Sequence, residues 1–359
     1  MTLIISDDDV GRLLSMRECI DAMQVAFEDF SNGVAVNRPR LRYLARHPDE
    51  TKRYFANVHV GAVPSAGIAC VRAGSQIMRL PTASSERRVY ENPSAFNWGL
   101  VILYSIETAE PLALMHEFCL SGLRVGATTG LSVDRFARKD AATVGLFGSG
   151  KQARRALEAI LCVRQIRRVR VYAPTRAHSE TLAQDMARPG LAIDVANDAR
   201  ECVQGADIVC CATSAMRPVF DGEWLQTGQF VVTMANSDVT NKRSEVDERT
   251  FERASAILVN DWESVIENNQ TELLGPIQSG LVDRSVVFEL GDALLGKVKP
   301  DLSGIVYYKN NSGLAIQFAA AGGLIYRKAI EDGSCKSIPT EWLGTDLSSY
   351  YEAGLRPSP

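Results

Sequence analysis

Residues 142–153 read Ala142-Thr-Val-Gly-Leu-Phe-Gly148-Ser-Gly150-Lys-Gln-Ala153. A buried-strand run from Thr143 to Phe147 feeds directly into Gly-x-Gly-x-x-Ala, and a helical pattern from Ala153 to Cys162 follows. A second strand, Val169-Arg-Val-Tyr172, arrives about twenty residues after the glycines, which is the β–loop–α–β order of a dinucleotide-binding unit. In that reading Gly148 permits the tight turn, Gly150 lets the backbone approach a pyrophosphate, and Ala153 lets helix and strand pack closely. The helix start, with Ser149, Lys151 and Gln152, offers its N–H groups to the phosphates.

Outward from this stretch, residues ~140 to ~300 alternate strand and helix. The strands are 144–147, 169–172, 208–212, 230–234 and 256–259, which demands a parallel sheet with helices on both faces. Near Val306-Tyr-Tyr-Lys-Asn-Asn311 the pattern changes, and a long small-residue helix from Gly313 to Ala329 is expected to return to the first unit. Upstream, Ser6 with Asp7 to Asp9 caps a first helix, and a second amphipathic helix runs from Met16 to about Phe30, stopping at Asn32-Gly33. Residues 40–104 are strand-like, and a helix spans roughly Cys119 to Phe136. The predicted fold class is therefore α/β: a Rossmann domain over 131–309, plus an α+β substrate-binding and dimerisation domain made of 1–130 with 310–359.

At 359 residues the chain exceeds what one hydrophobic core usually supports. A hydrophobic content of 46% and a net charge of −4 describe a globular protein and argue against nucleic acid or an anionic membrane as partner. No uninterrupted apolar run reaches the ~18 residues of a membrane span, and the N-terminus carries acids where a signal peptide carries bases, so a cytoplasmic location is expected. The eight cysteines form no CxxC pair and the four histidines do not cluster with them, so no metal site is expected. Cys210 and Cys211, in a buried-strand run, read as small core residues.

Several segments together resemble the ornithine cyclodeaminase/μ-crystallin family. Leu123-Arg-Val-Gly-Ala-Thr-Thr-Gly-Leu131 is similar to its L-R-T-G-A-x-S-G-L helix, and Phe147-Gly-Ser-Gly-Lys-Gln-Ala153 to its G-x-G-x-Q-A loop. Asn236-Ser-Asp238 with Lys242 resembles its G-x-D-x-P-G-K loop, with Thr240-Asn241 in place of the usual Pro-Gly. Asn311-Ser-Gly-Leu-Ala315 resembles its S-x-G-x-A segment. The resemblance implies hydride transfer at the Cα–N bond of a small amino acid, and it implies a homodimer.

Hydride transfer of that kind needs a grip on the carboxylate, and arginine's fork binds carboxylate bidentately. Arg40, Arg72 and Arg124 match the family's substrate positions, with Arg72 where lysine is usual. Asp238, after the strand at 230–234, is the candidate for proton handling, so the expected catalytic set is Asp238, Arg124 and Arg72. His59 stands near where ornithine-using members carry a pocket glutamate; an ordinary strand histidine is an equally good reading. Ser312 matches a substrate contact. By position the cofactor contacts are Ser94, Thr213, Ala235, Asn236, Lys242 and Asn311, beside the glycine loop. The second Rossmann strand lacks a terminal acid, while Thr175, Arg176 and Ser179 follow it, so NADP(H) is favoured and NAD(H) possible. The leading expectation is an NAD(P)H-dependent reductase or dehydrogenase taking an amino acid, 2-oxo acid or imine. The alternatives are an ammonia-releasing cyclodeaminase with recycled NAD and a non-catalytic μ-crystallin-like binding protein.

Overall fold

The computed structural model describes residues 1–80, 89–91, 94–237, 243–310 and 313–348. Two sheets organise them. The first runs Ala192–Val195, Arg168–Tyr172, Thr143–Phe147, Ile208–Cys211, Phe230–Thr233, Ile305–Lys309, Ala254–Val259 and Val287–Glu289 in spatial order. Every pairing in it is parallel. Crossover helices must therefore cover its faces. The strands Ile208–Cys211, Phe230–Thr233 and Ile305–Lys309 are accordingly buried along their whole length. Cys210 and Cys211 are core residues with no exposed surface.

Ile305–Lys309 departs from the sequence expectation, which ended the parallel strands before it. It lies between Phe230–Thr233 and Ala254–Val259, near the middle of the sheet. Its two tyrosines and lysine disguise a central strand, because such strands usually read as aliphatic runs. The fold satisfies them internally. Tyr307 shares a hydrogen bond of 2.7 Å with Thr233, Tyr308 donates to Asn260, and Lys309 pairs with Glu272.

The second sheet has nine strands. Lys336–Ile338, Thr2–Ile5, Pro111–His116, Trp98–Ser105, Ile68–Arg79, Lys52–Val63 and Val36–Asn37 form its main path. Leu41–Arg46 pairs with Lys52–Val63, and Val89–Glu91 with Ile68–Arg79. All pairs are antiparallel except Thr2–Ile5 with Pro111–His116. Thr2–Ile5 and Lys336–Ile338 are too short to show an alternating pattern in sequence, and only their pairing makes them strands.

Ser6 caps the helix Asp7–Leu13 through a reciprocal bond pair with Asp9, and Ser15 does the same with Glu18 for Met16–Ser31. The helix Ala315–Asp332 starts two residues later than the sequence suggested and ends at Gly333, whose φ of 67° is left-handed. It packs on the inner face of the nine-stranded sheet. The helix Phe118–Phe136 joins the two sheets by crossing Lys151–Val163. The crossing is close: a Cβ on Gly126 would stand 2.5 Å from the Arg155 carbonyl oxygen. No helix among the described residues is long and apolar enough to cross a membrane. No cluster of His, Cys, Asp and Glu among them could hold a metal ion.

Candidate active site

The glycine loop sits at the carboxyl end of Thr143–Phe147, beside the ends of Arg168–Tyr172 and Ile208–Cys211. Gly148 has a φ of +100°, and a Cβ there would come within 2.5 Å of the Ala212 carbonyl oxygen. The turn therefore requires glycine. Gly150 is the N-cap of Lys151–Val163 and supplies no side-chain cap, so the first N–H groups of the helix face outward unsatisfied by side chains. A Cβ at Gly150 would meet no atom within 4 Å. That open space lies over a helix N-terminus and fits a pyrophosphate. Ala153 is fully buried against the sheet. Lys151 turns away, donating to the Phe118 carbonyl oxygen at 3.1 Å with its ammonium 3.4 Å from the Phe118 ring centroid.

Thr213 and Ala235 follow the next two strands, and Glu245, absent from the sequence-based candidates, holds both. Its buried carboxylate accepts the backbone N–H groups of Thr213, Met234 and Ala235 at 2.6–2.7 Å, and the Thr213 hydroxyl at 2.8 Å. Burial pushes this carboxyl above its ordinary range. Glu272 in turn accepts the N–H of Glu245 at 2.5 Å while pairing with Lys309, which burial pushes down to about 8. This chain of buried charges sets the loop ends bordering the sheet's carboxyl edge. Its members lie far apart in sequence, and no motif announces them.

A cavity of about 210 Å³ opens beside these loops. Arg40, His59, Arg72, Arg124, Gln152 and Asn236, six of the sequence candidates, line it together. Arg42, Asn57, Ser121 and Asn310 also line it and were not foreseen. Gln152 belongs to the glycine loop's own helix, so the cavity and the dinucleotide cradle adjoin. The Gln152 Oε1 is buried without a hydrogen-bond partner among the described residues.

Each arginine is held by a specific device. Arg72 makes a two-pronged contact with Glu117, at 2.7 and 3.2 Å, and donates to the Asn57 carbonyl oxygen at 3.1 Å. Gly99 makes this possible, since a Cβ there would stand 2.2 Å from Glu117 Cγ. Arg124 projects from Phe118–Phe136, donates to Gln317 Oε1 at 2.7 Å and lies 4.8 Å from the Phe318 ring centroid. Burial, with Arg72 adding repulsion, pushes its guanidinium down to about 10. Arg40 reaches from the second sheet to Asn268, at 2.7 Å, and to Asn236 beyond the parallel strands. His59 is buried, and burial plus the charge of Arg72, Arg40, Arg124 and Arg42 hold it well below its ordinary value. Its ring is therefore neutral, and neither ring nitrogen has a hydrogen-bond partner among the described residues.

The other candidates stand apart. Ser94 is exposed and accepts the Trp98 indole N–H at 3.1 Å. Thr175 precedes the helix Arg176–Asp185, where Arg176 pairs with Glu180 at 3.0 Å, an acid the sequence reading left out of account. Ser179 is wholly buried in that helix. Asp238, Lys242, Asn311 and Ser312 lie outside the described residues; their neighbours Asn236, Asn310 and Gly313 line the cavity.

Residues 1–333 match the model of the ornithine cyclodeaminase/mu-crystallin family. The chain is 30% identical over 338 residues to the Delta(1)-pyrroline-2-carboxylate reductase of Bacillus thuringiensis subsp. konkukian, covering 92% of this chain and 98% of that one. Among solved structures it is similar to Thermococcus litoralis Delta(1)-pyrroline-2-carboxylate reductase in complex with NADH and L-proline. That match has a TM-score of 0.80 and 27% identity, covering 94% of this chain and 100% of the other. An archaeal alanine dehydrogenase dimer with bound NAD shares the fold, with a TM-score of 0.79 and 23% identity over 94% of this chain and 99% of the other.

Proposed function

We propose, from the premise that this chain belongs to the ornithine cyclodeaminase/mu-crystallin family, that it is an NAD(P)H-dependent oxidoreductase acting on the C–N bond of a small amino acid or imine. The observation that carries this is the arginine-lined cavity adjoining the dinucleotide cradle through Gln152. Held over the Gly148–Ala153 loop at the start of Lys151–Val163, NAD(P)H would supply the hydride for the imine carbon. Arg124, with Arg40 across the cavity, grips the substrate carboxylate and so fixes the imine carbon's position. Arg72, already paired with Glu117, adds positive potential on the same side. Asp238 provides the proton that the nitrogen gains, completing the amine. Lys242, Asn311 and Ser312 complete the contacts to cofactor and substrate.

Around the adenosine ribose, Thr175 and Arg176 favour NADP(H), with NAD(H) accepted; Ser179, wholly buried in its helix, takes no part. The cyclodeaminase alternative needs an acid to hold a side-chain ammonium, and the described residues lining the cavity include none. Residues 1–130 with 310–359 form the substrate-binding and dimerisation unit, and 131–309 the cofactor unit. The dimer is a homodimer closed through the outer face of the nine-stranded sheet, where Trp98 is 59% and Leu100 47% exposed. A cytoplasmic enzyme of this kind consumes NAD(P)H stoichiometrically with a cyclic imine, or with a 2-oxo acid plus ammonia or methylamine. Loss of NAD(P)H absorbance measured against such a panel tests the reading; turnover needing only catalytic NAD⁺, with ammonia released from a diamino acid, would replace it.

A further inference from the structure

We propose that Glu245 is the positioning residue for the nicotinamide half of the dinucleotide, and that the adenosine half does not depend on it; this rests on the cofactor reading above. The glycine loop follows Thr143–Phe147, and on one side of that strand lies Arg168–Tyr172, with Thr175 and Arg176 after it. A dinucleotide whose pyrophosphate sits over the start of Lys151–Val163 must run its other half to the opposite side, over the ends of Ile208–Cys211 and Phe230–Thr233. Neighbouring strands lie about 4.8 Å apart, so these two strand ends give that half a floor of about 10 Å.

One carboxylate ties the two ends together, with one oxygen for each. Glu245 Oε1 accepts the backbone N–H and the hydroxyl of Thr213, at 2.6 and 2.8 Å. Oε2 accepts the N–H groups of Met234 and Ala235, at 2.7 and 2.6 Å. The Met234 N–H is shared with the Cys211 carbonyl oxygen at 3.1 Å, across the two strands. The Thr213 hydroxyl in turn accepts the Ala215 N–H at 3.1 Å, which fixes the chain as it leaves the sheet. Met234 and Asn236, on either side of Ala235, line the cavity. The clamp thus meets the cavity wall where a nicotinamide must stand to face the substrate.

Glu245 is itself held from behind. It has no exposed surface, and its own N–H donates to Glu272 Oε1 at 2.5 Å, as does the N–H of Val246 at 3.2 Å. Glu272 also pairs with the wholly buried Lys309 of Ile305–Lys309, the strand next to Phe230–Thr233. Three of the four partners of the Glu245 side chain are backbone N–H groups, which can only donate. Both strand ends are therefore satisfied only by a side chain with two acceptor oxygens. A glutamine of the same size has one, and must turn its NH2 toward the donors of the other end. None of these bonds involves Gly148, Gly150 or the start of Lys151–Val163.

The test compares ligands that carry the nicotinamide half with one that lacks it. NADH and NADPH are titrated into the protein by fluorescence, and ADP, which keeps the adenosine and the pyrophosphate, by calorimetry. In Glu245→Gln the Kd of NAD(P)H should rise at least about tenfold, the scale of one hydrogen bond to a charged group, while the Kd of ADP stays within about twofold. Glu272→Gln keeps the Glu245 carboxylate but weakens its support, and should shift NAD(P)H binding the same way by about threefold. It decides the matter if Glu245→Gln does not fold; there, an equal effect on NAD(P)H and ADP, or none, overturns the inference. A folded Glu245→Gln protein with unchanged NAD(P)H binding overturns it as well. So does equal weakening of NAD(P)H and ADP, which would make Glu245 a support of the whole sheet edge. In each of these cases NAD(P)H binding by the wild type leaves the cofactor reading standing. A wild type that binds neither NAD(P)H nor ADP overturns that reading and the inference together.

Discussion

The two sheets treat their faces differently. In the eight-stranded sheet the central strands are buried on both sides, and their chemistry emerges only at the carboxyl ends, through Gly148, Thr213 and Asn236. The nine-stranded sheet works across its width. Along Ile68–Arg79, Cys70 and Arg72 point to the core and cavity while the residues between them face outward, and along Trp98–Ser105 the burial alternates in the same way. One sheet thus lends its edge to a cofactor, while the other lends one whole face to the substrate cavity and leaves apolar side chains on the opposite face. The difference follows from pairing. Parallel strands need helical crossovers that cover both faces, whereas hairpin-linked strands leave a face open.

The most severe way to separate the two contributions is at the proton. Asp238→Asn should retain cofactor binding, a property of the parallel sheet's edge, while turnover falls by about 10²-fold or more. Near-normal turnover, measured beside an unchanged cofactor titration, would remove Asp238 from the chemistry. Arg124→Ala acts on the other sheet's side of the cavity. It should lower kcat/KM for carboxylate substrates by about 10- to 150-fold, corresponding to about 1.5–3 kcal/mol for a hydrogen bond to a charged group, with the loss chiefly in KM. Steady-state kinetics that show KM unchanged would contradict this.

The open face offers a third break. Leu100→Asp places a charge among exposed apolar side chains without touching the buried face, so it should convert dimer to monomer at micromolar concentration by light scattering. A wild-type monomer would refute the proposed dimer itself. His59 gives a smaller, pH-dependent effect. Its folded-state value lies well below the ordinary 6.5, so as pH falls below about 6.5 the unfolded chain takes up a proton that the folded chain refuses. Stability is therefore full above that pH and declines below it, by up to about 1.4 kcal/mol per pH unit from this one group. His59→Gln should flatten the decline in Tm between pH 7 and pH 5; an unaltered slope would mean that His59 is protonated in the folded protein. The smallest effect lies at the ribose end. Arg176→Ala should narrow any preference for NADPH over NADH by about fivefold, because Glu180 already competes for the guanidinium. Glu180→Gln should widen it, and fluorescence titration of both cofactors reads either change.

What the chain determined by itself was whatever depends on neighbours in sequence. The strand–glycine–helix stretch at 143–153, the serine caps at Ser6 and Ser15, and the stop at Asn32-Gly33 all rest on local backbone chemistry. The three candidate arginines were also legible, though as separate matches, with nothing to say that they meet. Only the tertiary structure decided that Arg42 joins them, because its place on the cavity follows from cross-strand register with Asn57. Tertiary structure likewise decided that Glu117 neutralises Arg72, that Glu245 and Glu272 brace the loop ends, and that Ile305–Lys309 enters the middle of the parallel sheet. Each of these is a pairing between residues tens of positions apart, and such pairings are set by sheet order, register and the need to satisfy every buried charge, which no local pattern encodes.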